Sequence, residues 1–538
     1  MKTSCLMETN FIFDDRRKRI VGNMGKLYPI GIQNFEKLRK EGYFYVDKTA
    51  LIHRLVSTGS YYFLSRPRRF GKSLLISTLE VYFQGRKDLF EGLAIENIEK
   101  DWACHPVLHL DLNIEKFDTE RSLYDILNRN LAEWENLYGS DPAEVTLPLR
   151  FAGVVKRACL KTGMRTVILV DEYDKPLLQA IGNQKLQDEY RNTLKPFYGV
   201  LKSMDGYIRF AMLTGVTKFG KISVFSDFNN LIDISMDEQF SSICGISGSE
   251  LRDNFEDDIR ELAAKNGQSY EEACVRLKEN YDGYHFCPDS PGIYNPFSLL
   301  NTFYRGRYGR YWFESGTPTY LAELLKSHKY DLYRMAHEKT TSKVLDSVDA
   351  SSTNPIPVIY QSGYLTIKGY IPEPRIFELG FPNREVEEGF MDFLLPYYTP
   401  VQETESGFAI WEFISDIKAG DIDGFMKRLQ AFLADCPYEM AKDVELHYQN
   451  VLFIVFRLAG MYAEVEYHTS IGRIDLVLKT TGYVYVMEFK LDGSAEEAMR
   501  QINDRQYALP FAKDGRKVYK IGVNFSSATR NIDRWIIE

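Results

Sequence analysis

The sequence predicts an α/β protein. A parallel sheet with a phosphate-binding P-loop forms its N-terminal part, a helical region its middle and a smaller α/β core its C-terminal part. Three observations predict this. Arg66-Pro67-Arg68-Arg69-Phe70-Gly71-Lys72-Ser73 follows the apolar run Tyr61-Tyr62-Phe63-Leu64 and precedes a helix-like pattern from Ser73 to Leu79. Strand, Gly-Lys-Ser loop and helix in that order are what a P-loop needs. Thr166-Val167-Ile168-Leu169-Val170 is a continuous β-branched and apolar run, as expected of a strand buried on both faces, and it ends in Asp171-Glu172. Near the C-terminus, Thr481-Gly482 separates two strand-like runs, a hairpin signal.

The P-loop assigns roles. The backbone N–H groups of Arg68, Arg69, Phe70 and Gly71, with the helix N-terminus, face an anion. Lys72 brings a point charge to the outer phosphates of a nucleotide, and the Ser73 hydroxyl is a ligand for Mg²⁺. Arg66 stands where G-x-x-x-x-G-K-[ST] has its first glycine. Asp171 and Glu172 lie at the carboxyl end of a central parallel strand, where open α/β sheets bind ligands. Asp171 is expected to hold the magnesium through water, and Glu172 to orient or deprotonate the attacking water. A chance Gly-Lys-Ser or an acidic strand cap is common alone; both motifs in this order favour a nucleotide site.

Composition bounds the rest. A chain of 538 residues predicts two or three domains, and 44% hydrophobic with 26% charged residues is a soluble globular balance. No apolar run reaches transmembrane length, so no membrane partner is expected. A net charge of −9 disfavours a general nucleic-acid-coating role and leaves local contacts open. Seven scattered cysteines without a C-x-x-C pair suit a reducing cytoplasm, with no disulfide framework and no zinc ribbon. Residues 1–24, with Arg16-Arg17-Lys18-Arg19, read as an N-terminal extension outside the fold. The expected division is then 25–240 for the nucleotide domain, 241–400 for a helical lid or connector and 401–538 for the last domain. Pro396, Pro400 and the polar run 402–407 suggest a linker at the second boundary.

Along the chain, helical patterns begin at Asn34 and Ala50, and the intervening aromatics either flank an adenine or pack against the sheet. Pro106 to Asp111 reads as a buried strand; its His105 and His109 lack a nearby cysteine to complete a metal set. Helical patterns over 122–137 and 150–162 alternate with strands, as in a parallel sheet. Arg209 to Leu213 is the next strand. Thr214, at its end, is either a sensor of the γ-phosphate or a turn residue. Between 240 and 400, Asn295-Pro296 is an N-cap with proline at the first helical position.

The last hundred residues form a second chemical unit. A helix opens at Asp443 and runs to Gly460, and a short strand pattern spans Ala463 to Tyr467. With Thr481 and Gly482 as turn residues, counting outward sets Asp475 opposite Glu488. Lys490 lies two residues further on and shares their face. Two carboxylates on adjacent strands suit Mg²⁺ or Mn²⁺, and a lysine beside them can position a water. Ser494 and Glu497 make a capping box for a helix carrying Gln501.

The pattern formed by Asp475, Glu488 and Lys490, with Glu445 on the preceding helix and Gln501 on the following one, resembles the PD-(D/E)XK nuclease superfamily. The stretches R-P-R-R-F-G-K-S, V-D-E-Y-D and L-T-G-V-T-K-F resemble a bacterial AAA-ATPase-like family, often joined to such a nuclease-like domain. The resemblance implies P-loop NTPase folding and a restriction-endonuclease-like core. It also implies ATP as cofactor, nucleic acid (DNA foremost) as partner and substrate, and Glu445 as a further metal-site carboxylate. Homo-oligomers are compatible with it. The expected function is an ATPase joined to a metal-dependent nuclease. The rival readings are a nucleotide-dependent switch whose C-terminal domain binds without cleaving, and a small-molecule phosphotransferase.

Overall fold

Five parallel strands carry the N-terminal unit: β1 (Tyr61–Ser65), β2 (Val107–Asp111), β3 (Thr166–Asp171), β4 (Ile208–Gly215) and the two-residue β5 (Ile232–Asp233), in the order β2-β3-β4-β1-β5. In this computed structural model the described residues are 26–218, 230–315, 321, 325, 331–345, 354–399, 401–402, 406–434, 444–460, 464–469, 474–513 and 515–538. For 333, 406, 444–449, 459–460, 464–469 and 474–475 only the backbone is described. The expected extension 1–24 lies outside the described residues.

The central strands are apolar because both faces are covered. β3 is buried at every position, and β4 at all but Arg209. The helix Lys72–Phe83 follows the P-loop directly, with Gly71 as its left-handed N-cap at φ 99°. Asn34 caps the helix Phe35–Lys40, accepting from Lys37 N at 2.7 Å. That helix buries Phe35 against Val81 and Phe90. Glu80 of the P-loop helix holds His109 of β2 at 2.9 Å. β6 (Ile246–Ser247) and β7 (Ile293–Tyr294) pair antiparallel, and each leads into a capped helix, Gly248–Lys265 and Pro296–Arg305. Among the described residues, those up to Val275 with Pro291–Tyr308 form one compact unit; Arg276–Ser290 with Gly309 onward form the other.

The second unit begins with short helices and a three-stranded antiparallel sheet absent from the sequence reading: β8 (Lys339–Thr341), β9 (Thr366–Ile371) and β10 (Ile376–Gly380), ordered β8-β10-β9. Pro396, one of the proposed linker prolines, sits inside the helix Arg384–Tyr398. Leu394 and Leu395 bury completely there, and that burial holds the last turn in place.

The C-terminal sheet contains β11 (Glu464–Thr469), β12 (Ile474–Lys479), β13 (Tyr483–Leu491), β14 (Lys517–Ser526) and β15 (Asn531–Ile537), in chain order. β13 and β14 are parallel, bridged by the helix Ala495–Asp504; the other pairs are antiparallel. The hairpin register is the one counted from Thr481-Gly482, with Asp475 paired to Glu488. Val477, Val484 and Val486 pack on Met499 and Ile502 of the bridging helix. Gly522 permits that approach: a Cβ there would meet Ala495 O at 2.5 Å and Met499 N at 2.7 Å. No described helix is long and apolar enough to cross a membrane.

Two outcomes follow from these contacts. Gly522→Ala is expected to destabilise by about 1–3 kcal/mol, because backbone rather than a flexible side chain blocks the new methyl. Gly482→Ala, with open space around it, is the neutral control in the same urea titration. The second outcome concerns pH. Burial lowers the His109 pKa, but the Glu80 hydrogen bond and charge outweigh it and hold the imidazolium above its ordinary 6.5. A raised histidine stabilises fully below its unfolded pKa and loses that contribution as pH rises through its folded pKa. Wild type should therefore exceed Glu80→Gln in stability most at about pH 6, and the gap should narrow as the pH rises through the raised histidine pKa.

Candidate active sites

The P-loop departs from its pattern at Arg66, and the structure shows where that side chain goes. Arg66 is 1% exposed, and its Nη1 donates to Ser65 O at 2.9 Å and Ser235 O at 2.8 Å. Nη2 reaches Phe240 O at 3.3 Å, and the backbone N–H donates to Gly215 O. The left-handed positions of the loop are Arg69 (φ 68°) and Gly71 (φ 99°). The Arg69 guanidinium lies 4.8 Å from the Phe297 ring centroid, and the Phe70 ring is buried. Phe70 also accepts Gly245 N on its carbonyl.

Lys72 is 4% exposed, with its ammonium 3.2 Å from Arg66 O and 3.3 Å from Glu172 Oε1. Asp171 Oδ1 accepts from Thr214 Oγ1 at 2.6 Å and from Glu172 N at 3.1 Å. Thr214 is fully buried on β4, between the P-loop strand and the Asp171 strand, and its hydroxyl is spent on Asp171. Glu172 takes φ 54°, an uncommon backbone for a non-glycine residue at a strand end. Ser73 follows Lys72 in the first turn, half-buried. The structure thus brings Lys72, Asp171, Glu172 and Thr214 together at one edge of the sheet.

Two nearby acids carry no role in the sequence reading. Asp111 ends β2 in register with Asp171. Asp174 is completely buried and accepts from Val216 N, Thr217 N at 2.6 Å and Thr217 Oγ1 at 2.7 Å. Burial and the Glu172 charge push its pKa up to about 7, while the Thr217 donors pull it back. Its signal was present as the last letter of V-D-E-Y-D. Its partners lie 43 residues away, beyond the reach of local pattern. Gly215 makes room for it, since a Cβ there would meet Asp174 Oδ1 at 2.4 Å.

Beside the P-loop lies a cavity of about 100 Å³, lined by Phe44, Tyr45, Ile52, Phe70, Gly71, Leu74, Leu75, Cys244, Ile246, Pro296 and Leu300, among others. Its cationic wall residue, Lys48, donates to both oxygens of Glu250 at 2.6 Å and to Ser242 O at 2.8 Å. The aromatics left open between adenine and sheet packing therefore line a hollow next to Gly71.

In the C-terminal unit, Glu488 is fully buried. Its Oε1 accepts from Lys490 Nζ at 3.0 Å, and its Oε2 has no hydrogen-bond partner among the described residues. Lys490 also donates to Gln501 Oε1 at 2.5 Å, so these three side chains meet on one face. Asp475 is placed by its backbone opposite Glu488, and Glu445 by its backbone on the helix Val444–Gly460. The side chains of both lie outside the described residues. Among the described residues no group of three His, Cys, Asp or Glu is set to hold a metal. The spare Glu488 oxygen nevertheless fits one, since a buried carboxylate oxygen without a donor is costly unless a cation reaches it.

Comparison with known proteins adds to this geometry. The family model described as "Predicted AAA-ATPase" matches residues 29–225, and that of the PD-(D/E)XK nuclease superfamily matches 443–535. The chain is 34% identical over 531 residues to a protein of Azotobacter chroococcum mcd 1 described as "Uncharacterized protein in vnfD 5'region", covering 95% of this chain and 99% of that one. The solved structure of the Aeropyrum pernix ORC2 protein in ADPNP-ADP complexes is similar at 13% identity and TM-score 0.24, over 62% of this chain and 87% of that chain.

Asp174→Ala strands three buried donors at about 1–3 kcal/mol each before relaxation. It should lower the unfolding midpoint far more than Thr217→Val, which removes one donor and keeps the carboxylate's backbone partners.

Proposed function

We propose that this chain, which belongs to the predicted AAA-ATPase family and carries a C-terminal domain of the PD-(D/E)XK nuclease superfamily, is an ATP-hydrolysing protein joined to a metal-dependent nuclease acting on DNA. The observation that carries the nuclease half is Glu488, buried, hydrogen-bonded to Lys490 and left with one oxygen to spare. Lys72, held among Arg66 O, Pro67 O and Glu172 at the helix N-terminus, supports the nucleotide half.

In the nucleotide site, Lys72 meets the outer phosphates of ATP, and the N–H groups of Arg68 to Gly71 cradle them. Ser73 and Asp171 would hold Mg²⁺, with Thr214 fixing the Asp171 carboxylate by its 2.6 Å hydrogen bond. Glu172 orients the attacking water. The apolar hollow beside Gly71 suits the base. In the nuclease site, Asp475 and Glu488, with Glu445, would hold Mg²⁺ or Mn²⁺. A bound divalent cation lowers the pKa of water and offsets charge on the phosphate. Lys490 positions the attacking water, and Gln501 holds Lys490. Residues 441–538 contain 13 Lys+Arg and 13 Asp+Glu, so the positive charge that grips DNA is local or supplied elsewhere. That balance keeps alive the second reading, a nucleotide-dependent switch whose C-terminal domain binds nucleic acid without cutting it. On this reading the protein works in the bacterial cytoplasm, a reducing compartment that its seven scattered cysteines without a C-x-x-C pair suit.

The purified chain, given DNA with Mg²⁺ or Mn²⁺ and ATP, should cut it. Lys72→Ala should lose ATP binding by calorimetry, and Glu172→Gln should bind ATP but hydrolyse it about 100-fold more slowly. Glu488→Ala should lose metal binding and cleavage together. Lys490→Ala should lose cleavage while metal binding survives, because an ammonium cannot be a ligand. Metal-dependent cleavage persisting in Glu488→Ala would reject the nuclease site.

A further inference from the structure

Beyond Gln501 the polar chain from Glu488 and Lys490 continues outward. Gln501 Oε1 is taken by Lys490, which turns its Nε2 the other way, where it donates to Tyr507 OH at 3.5 Å. Arg505 Nη1 donates to the same phenol oxygen at 3.2 Å. A phenol has one proton to give and two lone pairs to accept with. Both lone pairs of Tyr507 are thus occupied, and its O–H proton has no acceptor among the described residues. The ring is held from behind by the cluster of Val477, Val484, Val486, Met499 and Ile502. Tyr507 as a whole is half-buried, beside the exposed Arg505.

A fixed phenol that can only donate, next to a guanidinium, recognises an anionic oxygen with no proton of its own. We infer that Tyr507 and Arg505 form a subsite for a backbone phosphate of the nucleic-acid substrate, separate from the scissile phosphate at Glu488 and Lys490. The Tyr507 O–H donates to a non-bridging oxygen, and Arg505, which holds the phenol oxygen through Nη1, adds positive charge beside it. The subsite rests on the nuclease reading. It adds that substrate register is set by the turn after the helix Ala495–Asp504, a segment to which sequence reading assigned no role.

Tyr507→Phe tests it, since the variant keeps the buried ring and removes only the hydroxyl. With the full chain and a short labelled DNA, Kd by anisotropy and KM for cleavage should rise about 5- to 20-fold. The turnover number and Mn²⁺ affinity by calorimetry should stay within about twofold. Arg505→Ala should weaken binding and reduce the slope of log K against log salt by about one phosphate contact. If the parent binds DNA and Tyr507→Phe binds it equally well, the subsite is wrong while the nuclease reading stands. If Tyr507→Phe loses Mn²⁺ binding, its hydroxyl acts through the metal site and the subsite is again wrong. If the parent binds neither DNA nor RNA, the nuclease reading itself fails, and the subsite with it.

Discussion

Parallel pairing sends the carboxyl end of every strand to one edge of the sheet, and the proposed nucleotide site depends on that constraint. β3 and β4 are sealed on both faces, so their polar side chains concentrate at the ends. The register then decides who meets whom. β4 lies between β1 and β3, which sets Thr214 beside Asp171 and leads the P-loop past both. Two side-chain links, Thr214 to Asp171 and Asp174 to Thr217, tie the ends of β3 and β4 into one rigid edge.

The C-terminal site reaches a similar arrangement by antiparallel pairing. A two-residue turn sets Asp475 opposite Glu488, and the pleat carries Lys490 to the same face. Each unit then places a lysine against a glutamate: Lys72 lies 3.3 Å from Glu172, and Lys490 lies 3.0 Å from Glu488. In both, oxygens of neighbouring residues take further ammonium protons: Arg66 O for one lysine, Gln501 Oε1 for the other. The opposite charge and the added oxygen acceptors offset part of the cost of burying these groups, while the spare Glu488 oxygen keeps its share of that cost.

What the sequence made legible was whatever depends on short range. The strand runs, the helix start at Asn34, the Asn295 and Ser494 caps and the Thr-Gly turn are local, and each lies where pattern put it. The Asp475–Glu488 pairing could be counted because a tight turn leaves no freedom in register. Asp174 was illegible because its meaning lies in the amide groups of a distant strand end. The β8-β10-β9 sheet was missed for a related reason. β8 has three residues, and Tyr370 and Ile371, apolar but exposed at the end of β9, break the hydrophobic alternation that would mark the sheet. Pro396 misled because proline speaks for its own N–H alone. Its neighbours Leu394 and Leu395, wholly buried, decided that the chain stays helical.

Arg66 bears on how nucleotide-binding loops are found. A glycine is demanded only where the backbone turns left-handed or another chain segment leaves no room for a Cβ. Here the left-handed turns fall at Arg69 and Gly71, and position 66 carries a full-length side chain tucked under the loop. The first glycine of the motif is thus a habit of spelling rather than a stereochemical requirement in this loop. A text search that insists on it discards chains such as this one, whereas a search on strand, left-handed pair, lysine and following acidic strand would retain them.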